Sequence, residues 1–405
     1  MEKIYLFTFL FNFANNLISP FISLYLYSLN FPENIIGKLI GILNFSSAFG
    51  FIASIFLSKY KNLSFVSFQI SLFLYGVSFL LLFYSKSFVS LLFSILFFSI
   101  TGGISYLLYS WLLISKFKGN VSGFSFENLT YAISYILSAL ISGIIIKSFG
   151  FQYFLFLLPF SAILFSLLIL TQIEVKIKEG KFSIFLSQEF KKFLIIYSIF
   201  YFSVGIASPF FSIFIVKILK LSALEWSLVG IIEMISFILF FPSILKIARQ
   251  HSSKTLLFFS TFLISTIPLF WVTIKNYILI LFYSIISGIA WRVFSIGINS
   301  YISNIVSSKF EIGLLSFISS IFLALGSFLS SLILYFSSLE TVFYISFIFR
   351  FFSSLLFLSL KKQKIGFEDL RKEFVTIFTI LKEIFIVFSP KISHLYNRNI
   401  RIHKF

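Results

Sequence analysis

Apolar residues run along this chain in nearly unbroken stretches, separated by short clusters of Lys, Gly, Ser, Asn and Pro. A helix needs about 20 apolar residues to cross the hydrocarbon core of a bilayer. Twelve stretches qualify, at approximately 4–28, 34–58, 63–84, 88–114, 124–146, 151–171, 193–216, 224–246, 255–274, 277–304, 311–336 and 341–360. Their apolar residues are continuous rather than alternating with polar ones, so the pattern predicts helices and not barrel strands. The expected class is an all-α integral membrane protein with twelve transmembrane helices.

The pattern also repeats. Ser19-Pro20-Phe21-Ile22-Ser23 returns as Ser208-Pro209-Phe210-Phe211-Ser212, 189 residues later. The same shift pairs Leu39 with Leu228, Gly41 with Gly230, Ser54-Ile55 with Ser243-Ile244, and Lys86 with Lys275. Past a small indel the shift becomes 190, pairing Gly123 with Gly313 and Phe154 with Tyr344. Two membrane-length halves in the same direction are the mark of a transporter built from parallel repeats, related by a pseudo-two-fold axis. The expected organisation is a six-helix bundle over 1–171, a linker over 172–192, a second bundle over 193–360 and a basic tail over 361–405.

Composition agrees and narrows the chemistry. Hydrophobic residues make up 59% of the chain and charged ones 11%, where soluble domains carry about a quarter. The mean hydropathy is +1.03. The one Asp (Asp369) and the three His (His251, His394, His403) all lie outside the apolar runs, so an enzyme centred on buried Asp or His lacks its parts, and no metal set or cofactor motif is expected. There is no Cys and no Gly-x-x-x-x-Gly-Lys-Ser/Thr loop, which excludes thiol chemistry and nucleotide hydrolysis by that loop.

The net charge of +18 reads as topology rather than as a nucleic-acid surface. With both termini inside, fourteen basic residues before the tail fall on the cytoplasmic side against six outside (Lys38, Lys86, Lys147, Lys217, Lys220, Lys275). The expected location is the plasma membrane, with both ends cytoplasmic. The N-terminal stretch imitates a signal peptide but belongs to the repeat, so it is read as a retained first span. In the tail, Phe374, Ile377, Phe378, Leu381, Ile384, Phe385 and Phe388 recur at helical spacing until Pro390, which suits a helix lying in the membrane interface, the alternative being a partly disordered tail.

Two tandem six-helix halves, cytoplasmic ends and a basic central loop resemble the major facilitator superfamily over essentially residues 1–360. The family's loop between the second and third helices reads Gly-x-x-x-Asp-Arg-x-Gly-Arg-Arg. Here Ser54 to Lys61 keeps the cations Lys59 and Lys61, with Ser58 at the acidic position. Ser138, Ala139, Ser142 and Gly143 followed by Phe149-Gly150-Phe151-Gln152-Tyr153-Phe154 are similar to the family's small-residue fifth helix and aromatic sixth. The Arg that marks drug/proton antiporters in the fourth helix has no counterpart around Ser99-Ile100-Thr101-Gly102-Gly103. The resemblance implies a central cavity lined by spans one, four, seven and ten, with a small-molecule substrate and, where a carboxylate titrates, protons as partners.

Ionisable groups deep in a span are costly and mark function by default. Glu233 lies about ten residues into the eighth stretch and aligns with Asn44 of the second. Arg292 sits near the middle of the tenth. A Glu233–Arg292 pair is the expected coupling element, the alternative being a static ion pair between helices. Arg350 in the twelfth stretch is expected to bond backbone or reach toward an interface rather than touch substrate. Asn12, Asn15 and Asn16 in the first stretch, Asn299 in the tenth, and Tyr197 and Tyr201 in the seventh are candidate cavity groups. Glu127, Lys59 and Lys61 are candidate gating groups, with first-turn stabilisation as the plainer role for Glu127. Pro20 and Pro209 occupy equivalent sites and are candidate helix bends.

The function expected from all this is a secondary transporter, monomeric and without cofactor, moving a small organic solute by alternating access. Proton coupling through Glu233 is part of that expectation. The rival readings are a transporter-like sensor or receptor that carries no flux and a lipid flippase; an enzyme is not expected.

Overall fold

The computed structural model describes residues 2–57, 61–117, 121–173, 186–305 and 309–361. Among these residues the secondary structure is entirely helical. Twelve helical spans are long and apolar enough to cross a membrane: Lys3–Ser28, Glu33–Leu57, Phe65–Tyr84, Phe88–Leu113, Asn128–Phe149, Tyr153–Leu170, Gln188–Lys217, Ala223–Ile244, Ser253–Ile274, Tyr277–Ile302, Phe310–Phe336 and Leu339–Ser359. They are called spans 1 to 12 below. The protein is a multi-pass membrane protein. Most of the expected linker and all but the first residue of the expected tail lie outside the described residues.

Span 7 starts at Gln188, inside the stretch expected as linker. Its first turn is polar, so hydropathy does not show it. Ser187 caps it by accepting from the Phe190 N–H, and Lys361 pairs with Glu189 at the end of span 12.

Neighbour relations fall into two sets that mirror the repeat. Span 1 packs on spans 5 and 6, span 3 on spans 4 and 6, and span 2 on span 4. Correspondingly, span 7 packs on spans 11 and 12, span 9 on spans 10 and 12, and span 8 on span 10. The two sets meet chiefly along span 2 against span 11 and span 5 against span 8.

Both seams use a ring laid on a glycine. A Cβ at Gly41 of span 2 would sit 2.6 Å from the Phe328 ring of span 11. Its repeat partner, Gly230 of span 8, has the Tyr135 phenol of span 5 in the same position. A larger residue at either glycine would push the helices apart.

Spans 1 and 7 are broken at their repeated Ser-Pro-Phe. Each becomes a 3-10 turn, at Ser19–Phe21 and Ser208–Phe210, before the helix resumes for seven residues. Proline removes the donor that would continue the α-helix, so the turn follows from covalent chemistry. Beyond each break the chain turns through a left-handed residue, Asn30 at φ 63° and Lys220 at φ 56°, again 190 apart. Equivalent sequence has folded into equivalent geometry.

Candidate functional site

The in-span charges converge where span 5 of the first half meets spans 8 and 10 of the second. Here Met234, Phe237, Phe241 and Ile244 pack with Ala132, with Tyr131 and Tyr135 against them. Beside this apolar patch the Ser287 hydroxyl donates to Glu233 Oε1 at 2.5 Å. The backbones of spans 8 and 10 touch at this level, because a Cβ at Gly288 would collide with the Glu233 carbonyl oxygen. Small residues at 287 and 288 thus allow the carboxylate to be reached from the neighbouring helix.

Arg292 does not form the expected pair with Glu233. Its Nη1 donates to Asn128 Oδ1 at 3.1 Å, and its Nη2 lies 3.1 Å from Met234 Sδ. The guanidinium carbon also sits 5.2 Å from the centre of the Tyr131 ring and 5.0 Å from that of Phe237. Its buried Nε has no partner. The reason is axial distance. Ser287 holds Glu233, and Arg292 is five residues further along span 10, roughly 7.5 Å at about 1.5 Å per residue. The arginine therefore faces the start of span 5, across the seam. One cation tied to both halves is a contact that relative movement of the halves must alter.

The span-1 amides are drawn into their own half. Asn12 Nδ2 donates to Tyr109 OH of span 4 at 3.3 Å. Asn15 Oδ1 accepts from Ser19 Oγ at 2.8 Å and from Tyr75 OH of span 3 at 2.7 Å. Asn16 is buried, and its Nδ2 lacks a hydrogen-bond partner. Asn44, the repeat partner of Glu233, is half-buried on span 2. Tyr197 and Tyr201 lie ring to ring at 4.4 Å on span 7, and Asn299 is exposed near the end of span 10. Of these candidates the structure brings together only the tyrosine pair. Lys59 and the side chains of Lys61 and Glu127 lie outside the described residues.

Contacts that tie the halves at one end were not singled out from sequence. Lys147 at the end of span 5 pairs with Glu225 at the start of span 8 at 3.3 Å, and Lys217 at the end of span 7 pairs with Glu33 at the start of span 2. Trp226 Nε1 donates to the Pro20 carbonyl at 2.9 Å, inside the span-1 break. The Ser331 hydroxyl donates to the Asn34 carbonyl. All four cross from one half to the other at the end predicted to face outward. Lys147 and Lys217 are about half exposed, so each ion pair contributes no more than about 1 kcal/mol. Such a latch closes without locking.

Sequence reasoning also missed Asn128, Tyr131, Tyr135 and Ser287. A signal existed for the first three, since spacings of three and four put them on one face of span 5.

Several known structures share this arrangement. The nucleoside transporter NupG superposes with a TM-score of 0.66 at 15% identity, over 88% of this chain and 97% of its own. A POT family transporter in complex with 5-aminolevulinic acid gives 0.71 at 12%, over 88% and 95%. The human organic anion transporter MFSD10 (TETRAN) gives 0.63 at 11%, over 88% and 98%. At these identities the likeness concerns the fold. No curated protein matches the chain by sequence. The family model for the Major Facilitator Superfamily, however, matches residues 4–309. With its twelve spans in two repeated halves, the chain belongs to the Major Facilitator Superfamily.

Proposed function

We propose that the protein is a secondary transporter that moves a small organic solute by alternating access, with Glu233 as the proton-carrying group. The observation that carries this reading is a half-buried carboxylate held by Ser287 within the second half, beside a cation that bonds Asn128 of the first half. When the halves rock, Arg292 is released from Asn128 of the first half, and its freed positive charge favours the ionised form of Glu233, whose proton passes to water on the side then open. The end latched by Lys147–Glu225 and Lys217–Glu33 is the outer one, with both termini in the cytoplasm, so these pairs hold the outer end together in this state. The two functional bundles are residues 1–171 and, with the first turn of span 7 included, 188–360.

The substrate is a neutral or amphiphilic organic molecule. Tyr197 and Tyr201 offer ring faces, Asn44 and Asn299 offer amides, and Arg292 can accept a carboxylate during exchange. Structural relatives described as nucleoside, organic anion and POT family transporters span that chemical range.

The test begins with purified protein in a thermal-shift screen against nucleosides, sugars, amino acids and organic acids across pH, because a ligand of the folded state raises its melting temperature. A ligand so found is then followed by counterflow in proteoliposomes. Counterflow supports the transporter; binding by every hit without any flux establishes a receptor and sinks the proposal.

A further inference from the structure

Arg350 of span 12 is 1% exposed and is the largest fully buried side chain in the described structure. It lies away from the Glu233–Arg292 group, and none of the ion pairs among the described residues includes it. A buried cation without a carboxylate costs several kcal/mol unless other dipoles replace its water. Its donors show which dipoles do so. Nη1 points at the Ile264 carbonyl of span 9 and Nη2 at the Val204 carbonyl of span 7, each at 3.4 Å.

The two carbonyls differ: Val204, in the last turn before the break, still accepts the Ser208 N–H of its own helix, whereas Ile264 has lost its helical donor. The donor that would normally serve Ile264 is the N–H four residues on, and that residue is Pro268, which has none. Val204 lies one residue before the carbonyl that Pro209 frees in the same way, that of Gly205, and Gly205 accepts from Ser327 Oγ of span 11 at 3.1 Å. The carbonyl before Val204, that of Ser203, accepts from Ser346 Oγ at 2.8 Å. Three consecutive carbonyls at the end of the first piece of span 7 are thus each served by a side chain of span 11 or 12. Ser346 and Arg350 are four residues apart on one face of span 12. The guanidinium also lies 6.0 Å from the Phe211 ring, the first residue after the break. The carbonyl end of a helix carries partial negative charge, which takes the place of a counter-ion.

We infer that Arg350 is a positioning residue for the outer piece of span 7: it stands in for the donor that Pro268 lacks and clamps span 9 and span 12 to the helix end where span 7 bends. The angle it sets carries Phe210 to its contact with Gly37 of span 2 and Lys217 to its pair with Glu33, and so closes the outer end. The inference concerns stability and geometry, so it stands or falls separately from the transport reading.

The experiment is a double-mutant cycle on the full chain in detergent. Pro268→Ala returns an N–H to span 9. Arg350→Leu is expected to lower the melting temperature strongly in the native background and much less alongside Pro268→Ala. If Arg350→Leu does not accumulate in membranes, Arg350→Gln replaces it in the same cycle. A second reading uses the absence of Cys from the native chain. Cysteines placed at Glu33 and Lys217 report closure through the yield of a bifunctional thiol cross-link. That yield is expected to fall with Arg350→Leu or Arg350→Gln and to recover in part with Arg350→Lys. Additive losses in the cycle, or a cross-link yield unchanged by removal of the guanidinium, overturn the inference.

Discussion

The two halves break their central helix at the same tripeptide yet support the break differently. In the first half the Leu17 carbonyl, just before the span-1 turn, accepts from Ser142 Oγ at 2.7 Å, and Tyr25 OH ties the resumed helix to the Leu82 carbonyl at 2.7 Å. All its helpers are neutral. The second half uses Ser327, Ser346 and the charged Arg350, and it also carries Glu233 and Arg292, whereas the first has Asn44 at the repeat position of Glu233. Duplication supplied one scaffold twice; the ionisable chemistry was placed on one copy. The first half thus supports its break with neutral groups alone, whereas the second places charged side chains within its spans.

The sharpest way to break that comparison is Glu233→Gln. Gradient-driven uptake is expected to fall by at least about 100-fold, equivalent to about 2.7 kcal/mol, while counterflow of the same solute persists. The sign follows from protonation: the neutral amide mimics the loaded carboxyl, so flux in the variant loses its rise on the acidic side. Uptake by the variant that kept its native pH profile would remove Glu233 from the coupling. Next in size is Arg292→Ala, which is expected to lower flux by about tenfold. Asn128→Ala should repeat part of that loss and add little to it in the double variant, since a hydrogen bond to a charged group contributes about 1.5–3 kcal/mol once. Full additivity would mean that the two residues act independently.

The supports at the breaks give a smaller and more direct contrast. Ser327→Ala removes the hydroxyl that serves the Gly205 carbonyl, whose helical backbone donor is already missing at Pro209, at a cost of about 1–3 kcal/mol. Ser142→Ala removes a donor from Leu17, whose fourth following residue is Phe21 with an intact N–H, and should cost only about 0.5–1.5 kcal/mol. Melting temperatures of the two variants check the order, and equal losses would erase the asymmetry. Smallest is Lys217→Glu. Loss of an exposed pair shifts the closed state by about fivefold or less, seen as thiol labelling of a cysteine at Ser208 from outside, and Glu33→Lys in the same chain should reverse it.

Much of the fold was legible because bilayer crossing demands long apolar runs, and the repeat offset aligned Gly41 with Gly230 and Pro20 with Pro209 before any coordinates. The site was less so. Sequence singled out Glu233 and Arg292 as charges within spans, but a few residues of axial offset decide whether two side chains meet, and here Arg292 meets Asn128 instead. Contacts across the seam depend on how two separately packed bundles dock, which no periodicity within one helix encodes. Lys147 and Lys217 counted in the sequence only as outside charges, and the structure pairs them across the halves with Glu225 and Glu33. Arg350 bonds backbone, as its place in the twelfth stretch suggested, but which carbonyls it meets depends on Pro268, 82 residues earlier in the chain.

Rings resting on bare glycine backbone at Gly41 and Gly230 leave little for neighbouring side chains to catch on. With contacts of about 0.1–0.2 kcal/mol per atom pair, no single one ties the halves strongly at these two points. A bulky substitution at either glycine should therefore wear most heavily on the turnover rate, leaving the affinity for cargo comparatively intact.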